Sequence, residues 1–125
     1  MKRYLLVLLL AGCAAPPQGP TEAPPPVAPE PPPVKENVAV AGLMESARAD
    51  AASGKLVQAA ASLERALRIE PRNPRLWHEL ARVRLRQGDT AQAANLAARS
   101  NSFAGSDAAL RSANQNIIDQ ARTTR

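Results

Sequence analysis

Residues 73–100 read NPRLWHELARVRLRQGDTAQAANLAARS. Asn73 can accept from the unpaired N–H groups that open a helix. Pro74 follows where its missing N–H is not needed. Leu76, Trp77, Leu80, Ala81 and Val83 then supply an apolar face at helical spacing. Gly88 stops this helix, and Asp89 with Gln92 three residues later forms the capping signature of another. The stretch predicts two helices joined by a tight turn.

The plan has already appeared once upstream. In KLVQAAASLERALRIEP, residues 55–71, the positions Leu56, Ala59, Ala60, Leu63, Ala66 and Leu67 fall on one helical face, with Gly54 before them and Pro71 after. Gly54 to Gly88 is 34 residues, as are Ala47 to Ala81, Ala59 to Ala93, and Leu43 to Trp77. This period and these residues resemble the tetratricopeptide repeat, W-x2-L-G-x2-Y … G … A-x3-F … A … P. The second unit matches at Trp77, Leu80, Ala81, Gly88 and Ala93. The first matches at Leu43, Ala47, Gly54, Ala59, Leu63, Ala66 and Pro71. The resemblance spans about residues 39–105. A last helix, from Asp107 to about Arg122, has Leu110, Ala113, Ile117 and Ala121 on one side. Arg111, Asn114, Asn116 and Asp119 are expected on its polar outer face, so it looks like the solvating cap such arrays need. The resemblance implies an all-α fold over residues 38–125, a short solenoid of two repeats plus a capping helix.

The aromatic position of the pattern's first helix is Asp50 in one unit and Arg84 in the other. They are expected to pair across the stacked helices, with the Arg84 stem covering apolar surface. The other reading is two solvated sites in a weakened core. Two repeats and a cap also fall short of the three usually needed, which predicts modest stability that a partner would raise by mass action.

The chain opens MKRYLLVLLLAGCAAPP. Two cations, an apolar run too short to span a bilayer, and small residues have the layout of a secretory signal. Leu10-Ala11-Gly12-Cys13 resembles the lipobox of bacterial lipoproteins. That resemblance implies cleavage after residue 12, lipidation of Cys13, the chain's only cysteine, and, with Ala14 next, sorting to the outer membrane facing the periplasm. Each buried methylene of the acyl chains would add roughly 0.8 kcal/mol of attachment. From Ala14 to Asn37, ten of 24 residues are proline. With little to bury, residues 13–37 are expected to form a disordered tether. Proline stiffens it toward an extended form that reaches roughly 70 Å at about 3.1 Å per residue. It reads as a passive stalk, a spacer, or a Pro-rich ligand; distance is what the composition supplies.

Composition limits the chemistry. The whole chain has 16 Lys+Arg and 11 Asp+Glu; loss of Lys2 and Arg3 with the signal leaves 14 against 11. This mild basicity, in a periplasmic setting, points to an acidic protein face or an anionic wall polymer and away from nucleic acid. One histidine, His78, and no free cysteine leave no zinc spacing. His78 and Glu79 share a helix with Arg82 and Arg86, which reads as a solvated face, with a catalytic base as the alternative. No serine has an accompanying base, no Gly-rich phosphate loop follows a strand, and no two carboxylates are spaced for sugar hydrolysis. The expectation is a binding module without cofactor, metal, small-molecule substrate or enzymatic activity.

In tetratricopeptide arrays the first helix of each repeat lines the concave side. The resemblance therefore implies a docking face containing Met44, Arg48, His78, Arg82 and Arg86, with Arg111 and Gln115 from the cap. Cationic and imidazole side chains there would favour an acidic partner; the alternative is that these arginines only solubilise an alanine-rich array. Trp77 is expected in the core, and Phe103 at the joint with the cap. The lipid signal, proline tether and small helical domain together resemble the lipoprotein activators of class A penicillin-binding proteins. In that family the domain reaches through peptidoglycan and stimulates a bifunctional synthase. A pilotin-like scaffold for outer-membrane or secretion-system assembly is the alternative.

Overall fold

The computed structural model describes residues 37–124. The signal segment 1–12, Cys13 and the tether up to residue 36 lie outside the described residues. Five helices follow in order: α1 (Val38–Ala52), α2 (Leu56–Ile69), α3 (Pro74–Arg86), α4 (Thr90–Phe103) and α5 (Ala108–Thr123). Among the described residues no helix is long and apolar enough to cross a membrane.

Side-chain caps set four of the five starts. Asn37 accepts from the N–H of Ala39, Asn73 from Arg75, Asp89 from Gln92, and Asp107 from Leu110. Each satisfies a backbone donor that the helix leaves without a partner. At Asp89 only half of the expected capping box forms, since its own N–H donates to the Arg84 carbonyl at 3.0 Å and is not free for Gln92. Gly54 (φ 78°) and Gly88 (φ 83°) end α1 and α3 in the left-handed region, where a side chain would be strained. These two turns, one repeat apart, fold each unit into a helical hairpin.

Within the repeats α1 packs on α2 and α3 on α4. Between them α3 packs on α2, and α5 packs on both α4 and α3. Leu63 and Leu76, almost fully buried, centre one cluster with Val40, Ala47, Ala59, Ala60, Ala66, Leu80 and Val83. Ala81, Ala93, Ala97 and Ile117 form a second beneath the cap. Buried alanines let the helix backbones approach closely, but each removes little apolar area from water, at about 25 cal/mol per Å². The fold is the expected all-α array of two repeats and a capping helix.

Arg84 does not meet Asp50. Its guanidinium pairs with Glu64 of α2 at 2.7 Å and donates to Gln87 Oε1 at 2.9 Å. The aromatic-type position points toward the second helix of the preceding repeat, not toward its equivalent one repeat away. Arg84 finds α2 there, and Ile118, thirty-four residues on, lines a groove with Ala94 and Ala98 of α4. Asp50 has no preceding helix among the described residues.

Asn114 is a second correction: it is 0% exposed and belongs to the interior, not to the polar outer face of the cap. Trp77 is half-buried against the first cluster. Its indole N–H donates to the Pro71 carbonyl at 2.8 Å, and the Arg99 guanidinium lies 4.7 Å from the ring centre. Phe103 ends α4 and meets Arg72 of the α2–α3 turn, 5.8 Å from its ring.

Candidate docking face

The first helices α1, α3 and α5 place two clefts side by side. The α1–α3 cleft, about 200 Å³, is lined by Arg48, Ala51, Ala52, Glu79, Arg82, Val83 and Arg86. Between α3 and α5 lies one of about 380 Å³ lined by His78, Arg82, Leu85, Arg86, Ala113, Asn116, Ile117 and Gln120. Arg82 and Arg86, one helical turn apart, stand on the ridge common to both.

The charge on this ridge is only partly free. Glu79, with its side chain 15% exposed, takes Arg48 at 3.3 Å and Arg82 at 3.2 Å, while those two arginines remain 52% and 59% exposed. One carboxylate thus ties α1 to α3 and offsets part of the positive potential. Arg86 has no carboxylate partner among the described residues. Its Nη1 donates at 2.8 Å to the Ala51 carbonyl, in the last turn of α1, where a cation complements the unsatisfied C-terminal carbonyls.

His78 is not on a simple solvated face. Its Nδ1 lies 2.7 Å from Asn114 Oδ1. The amide nitrogen of Asn114 donates to Ser100 Oγ and to Asn101 Oδ1, both at 2.8 Å. Ser100, also 0% exposed, donates in turn to the Pro74 carbonyl at 2.7 Å. The network joins α3, α4 and α5 and leaves the polar atoms of the buried Asn114 satisfied, as a low-dielectric interior requires.

The sequence-derived candidates divide accordingly. Arg48, His78, Arg82 and Arg86 come together along the two clefts. Met44 packs half-buried against the first core cluster. Arg111 and Gln115 are not among the residues lining either cleft. Arg111 donates to Gly105 O at 3.0 Å and Gln115 to Asp119 at 3.0 Å. They stand thirty-four residues on from Trp77 and Ala81, which face the sister helix α4, and no helix follows α5 among the described residues to cover them. The cap's polar contribution to the cleft is instead Asn116 and Gln120, one repeat on from Arg82 and Arg86. Counting the same 34-residue period into α5 would have found both.

An array of paired helices with a first-helix face of this kind is the architecture of an interaction module. The chain belongs to the tetratricopeptide-repeat family, whose model matches residues 50–117. No curated protein sequence matches it. Among solved structures it is similar to the globular C-terminal domain of P. aeruginosa LpoP. The identity is 44% and the TM-score 0.69, over 70% of this chain and 83% of that one. It is therefore an LpoP-like tetratricopeptide-repeat protein, and domains of this kind are protein-interaction modules.

Proposed function

We propose that this protein is a lipid-anchored periplasmic activator. It docks through the α1–α3–α5 face on a bifunctional class A penicillin-binding protein and stimulates peptidoglycan synthesis. The observation that carries this reading is the 44% identity to the LpoP domain, on a chain whose Cys13 signal and proline tether have the activator family's organisation. The exposed Arg48, Arg82 and Arg86 supply a face of the sign an acidic docking patch would select.

The mechanism is a population shift. A protein that binds the active form of a synthase more tightly than its resting form raises the active fraction, and needs no reacting group of its own. The tether lets an outer-membrane anchor and an inner-membrane enzyme be bridged by a domain small enough to travel through the wall mesh.

Adding the purified chain to a class A synthase from the same organism should increase glycan polymerisation and crosslinking from lipid-linked precursor. Unchanged rates at a saturating concentration would refute activation. In cells, Cys13→Ser should remove the protein from the outer-membrane fraction; a serine variant that still matures and fractionates there would refute the anchor.

A further inference from the structure

The buried network around Asn114 fixes where the protons lie. The Pro74 carbonyl can only accept, so the single hydroxyl hydrogen of Ser100 points at it. Ser100 Oγ must then accept from Asn114, which makes the atom beside it the amide nitrogen and turns the carbonyl oxygen toward His78. A carbonyl oxygen can only accept, so Nδ1 of His78 must carry hydrogen. The neutral ring is held as the Nδ1–H tautomer, and Nε2 is a bare lone pair. Nε2 has no hydrogen-bond partner among the described residues, and the ring lines the α3–α5 cleft.

In the same cleft stand the exposed Arg82 and Arg86, the latter with no carboxylate partner among the described residues. The charged surroundings of the ring are cationic on balance. On α3 they are Arg75 one turn before it, Glu79, Arg82 and Arg86, and across on α1 Arg48, which shares Glu79 with Arg82 and lies 4.0 Å from the exposed Glu45. On α5, Arg111 is held by the Gly105 carbonyl, and Asp119 is engaged by Gln115 and lies 3.9 Å from Arg122. From α4 the ring's network receives only the neutral Ser100 and Asn101. A carboxylate brought to this cleft is attracted by the two arginines but meets a lone pair at Nε2. Protonating Nε2 turns that clash into a charge-assisted hydrogen bond and leaves the Nδ1–H bond to Asn114 unchanged.

We propose that the α3–α5 cleft receives an acidic side chain of the partner protein, and that His78 takes up one proton from solvent at Nε2 as it does so. Binding is then linked to pH with a fixed sign. A ligand that favours the protonated ring binds more tightly as pH falls. Asn114 acts as the positioning residue, since it selects the nitrogen that faces the partner. The inference deepens the docking reading above and rests on it for the partner's class.

Because the chain has a single histidine, nitrogen-15 labelling of histidine gives one imidazole to follow by NMR. The free chain should show hydrogen on Nδ1; an Nε2–H tautomer overturns the proposal. The probes are a hexaglutamate peptide with blocked ends, its hexaglutamine counterpart, and inorganic phosphate. Hexaglutamate should shift the imidazole signals, with affinity rising as pH falls by up to about tenfold per unit, the limit for uptake of one proton. His78→Gln should flatten that slope, and Arg86→Gln should weaken binding at every pH while keeping it. A flat profile, tighter binding at high pH, or equal binding of hexaglutamine overturns the proposal, as does phosphate binding as well as the peptide. If the linkage holds but no synthase is bound, the activator reading fails alone. If the synthase binds with no pH slope and His78→Gln is silent, this inference fails and the activator reading stands.

Discussion

Glu79 holds two arginines with one carboxylate, Arg48 at 3.3 Å and Arg82 at 3.2 Å, and so controls how much charge the candidate docking face presents. Ion pairs with arginines this exposed contribute about 1 kcal/mol or less to stability. Glu79→Gln should therefore shift denaturant unfolding little, yet release Arg82, leave Arg48 only Glu45 at 4.0 Å, and tighten association with an acidic partner at low salt. Weaker association would mean that Glu79 itself meets the partner. The pair at Arg84 is a separate matter. A double-mutant cycle of Glu64→Ala and Arg84→Ala, read by denaturant unfolding, should give a coupling of about 0.5–1 kcal/mol. Asp50→Ala with Arg84→Ala should be additive within about 0.5 kcal/mol. The unusual residues Asp50 and Arg84 are legible in the sequence, but Glu64 is not. Finding it requires knowing that α2 lies against that side of α3.

At the scale of the helices, α5 shows what periodicity carries and where it stops. Its start, its N-cap at Asp107 and its buried Ile117 and Ala121 follow from spacing and capping chemistry. Asn114 does not, because an asparagine beside Arg111 and Asn116 reads as surface until its partners on α3 and α4 are known. Counting thirty-four residues from α3 puts Asn114 at the place of buried Leu80, and a polar residue at a core place signals a network. Asn114→Ala would leave Ser100 Oγ, Asn101 Oδ1 and His78 Nδ1 without their partner. Of these only Ser100 is fully buried, and one buried orphan costs about 1–3 kcal/mol, so the domain should lose about 1–3 kcal/mol in denaturant unfolding. The exposed Asn116→Ala should lose less than about 0.5 kcal/mol. Equal effects would mean that α5 is docked by its apolar residues alone.

Over the whole molecule, two very different materials are joined near Asn37: a proline-rich segment that reads as a tether, and a helical array that reads as a binding domain. If reach is what the first supplies, exchanging residues 16–33 for an equally long Pro-rich segment should preserve activity in cells. Halving the segment should abolish activity in cells and spare stimulation of purified synthase. Equal loss in both assays would assign direct contacts to the tether.

Which face of the array carries the partner is decided most directly by charge reversal. Arg82→Glu with Arg86→Glu alters the ridge between the two clefts, while Arg65→Glu with Arg68→Glu alters exposed positions on α2. Arginine and glutamate differ little in helix propensity, so circular dichroism and Trp77 fluorescence should confirm that both variants fold. Binding of each to the purified class A synthase would then be measured across a range of salt, since exposed charges are screened beyond about 8 Å at physiological ionic strength. The ridge reversal should abolish association, the α2 reversal should leave it near wild type, and wild-type binding should weaken as salt rises. Loss in the α2 variant with full binding by the ridge variant would contradict the assignment of the docking face.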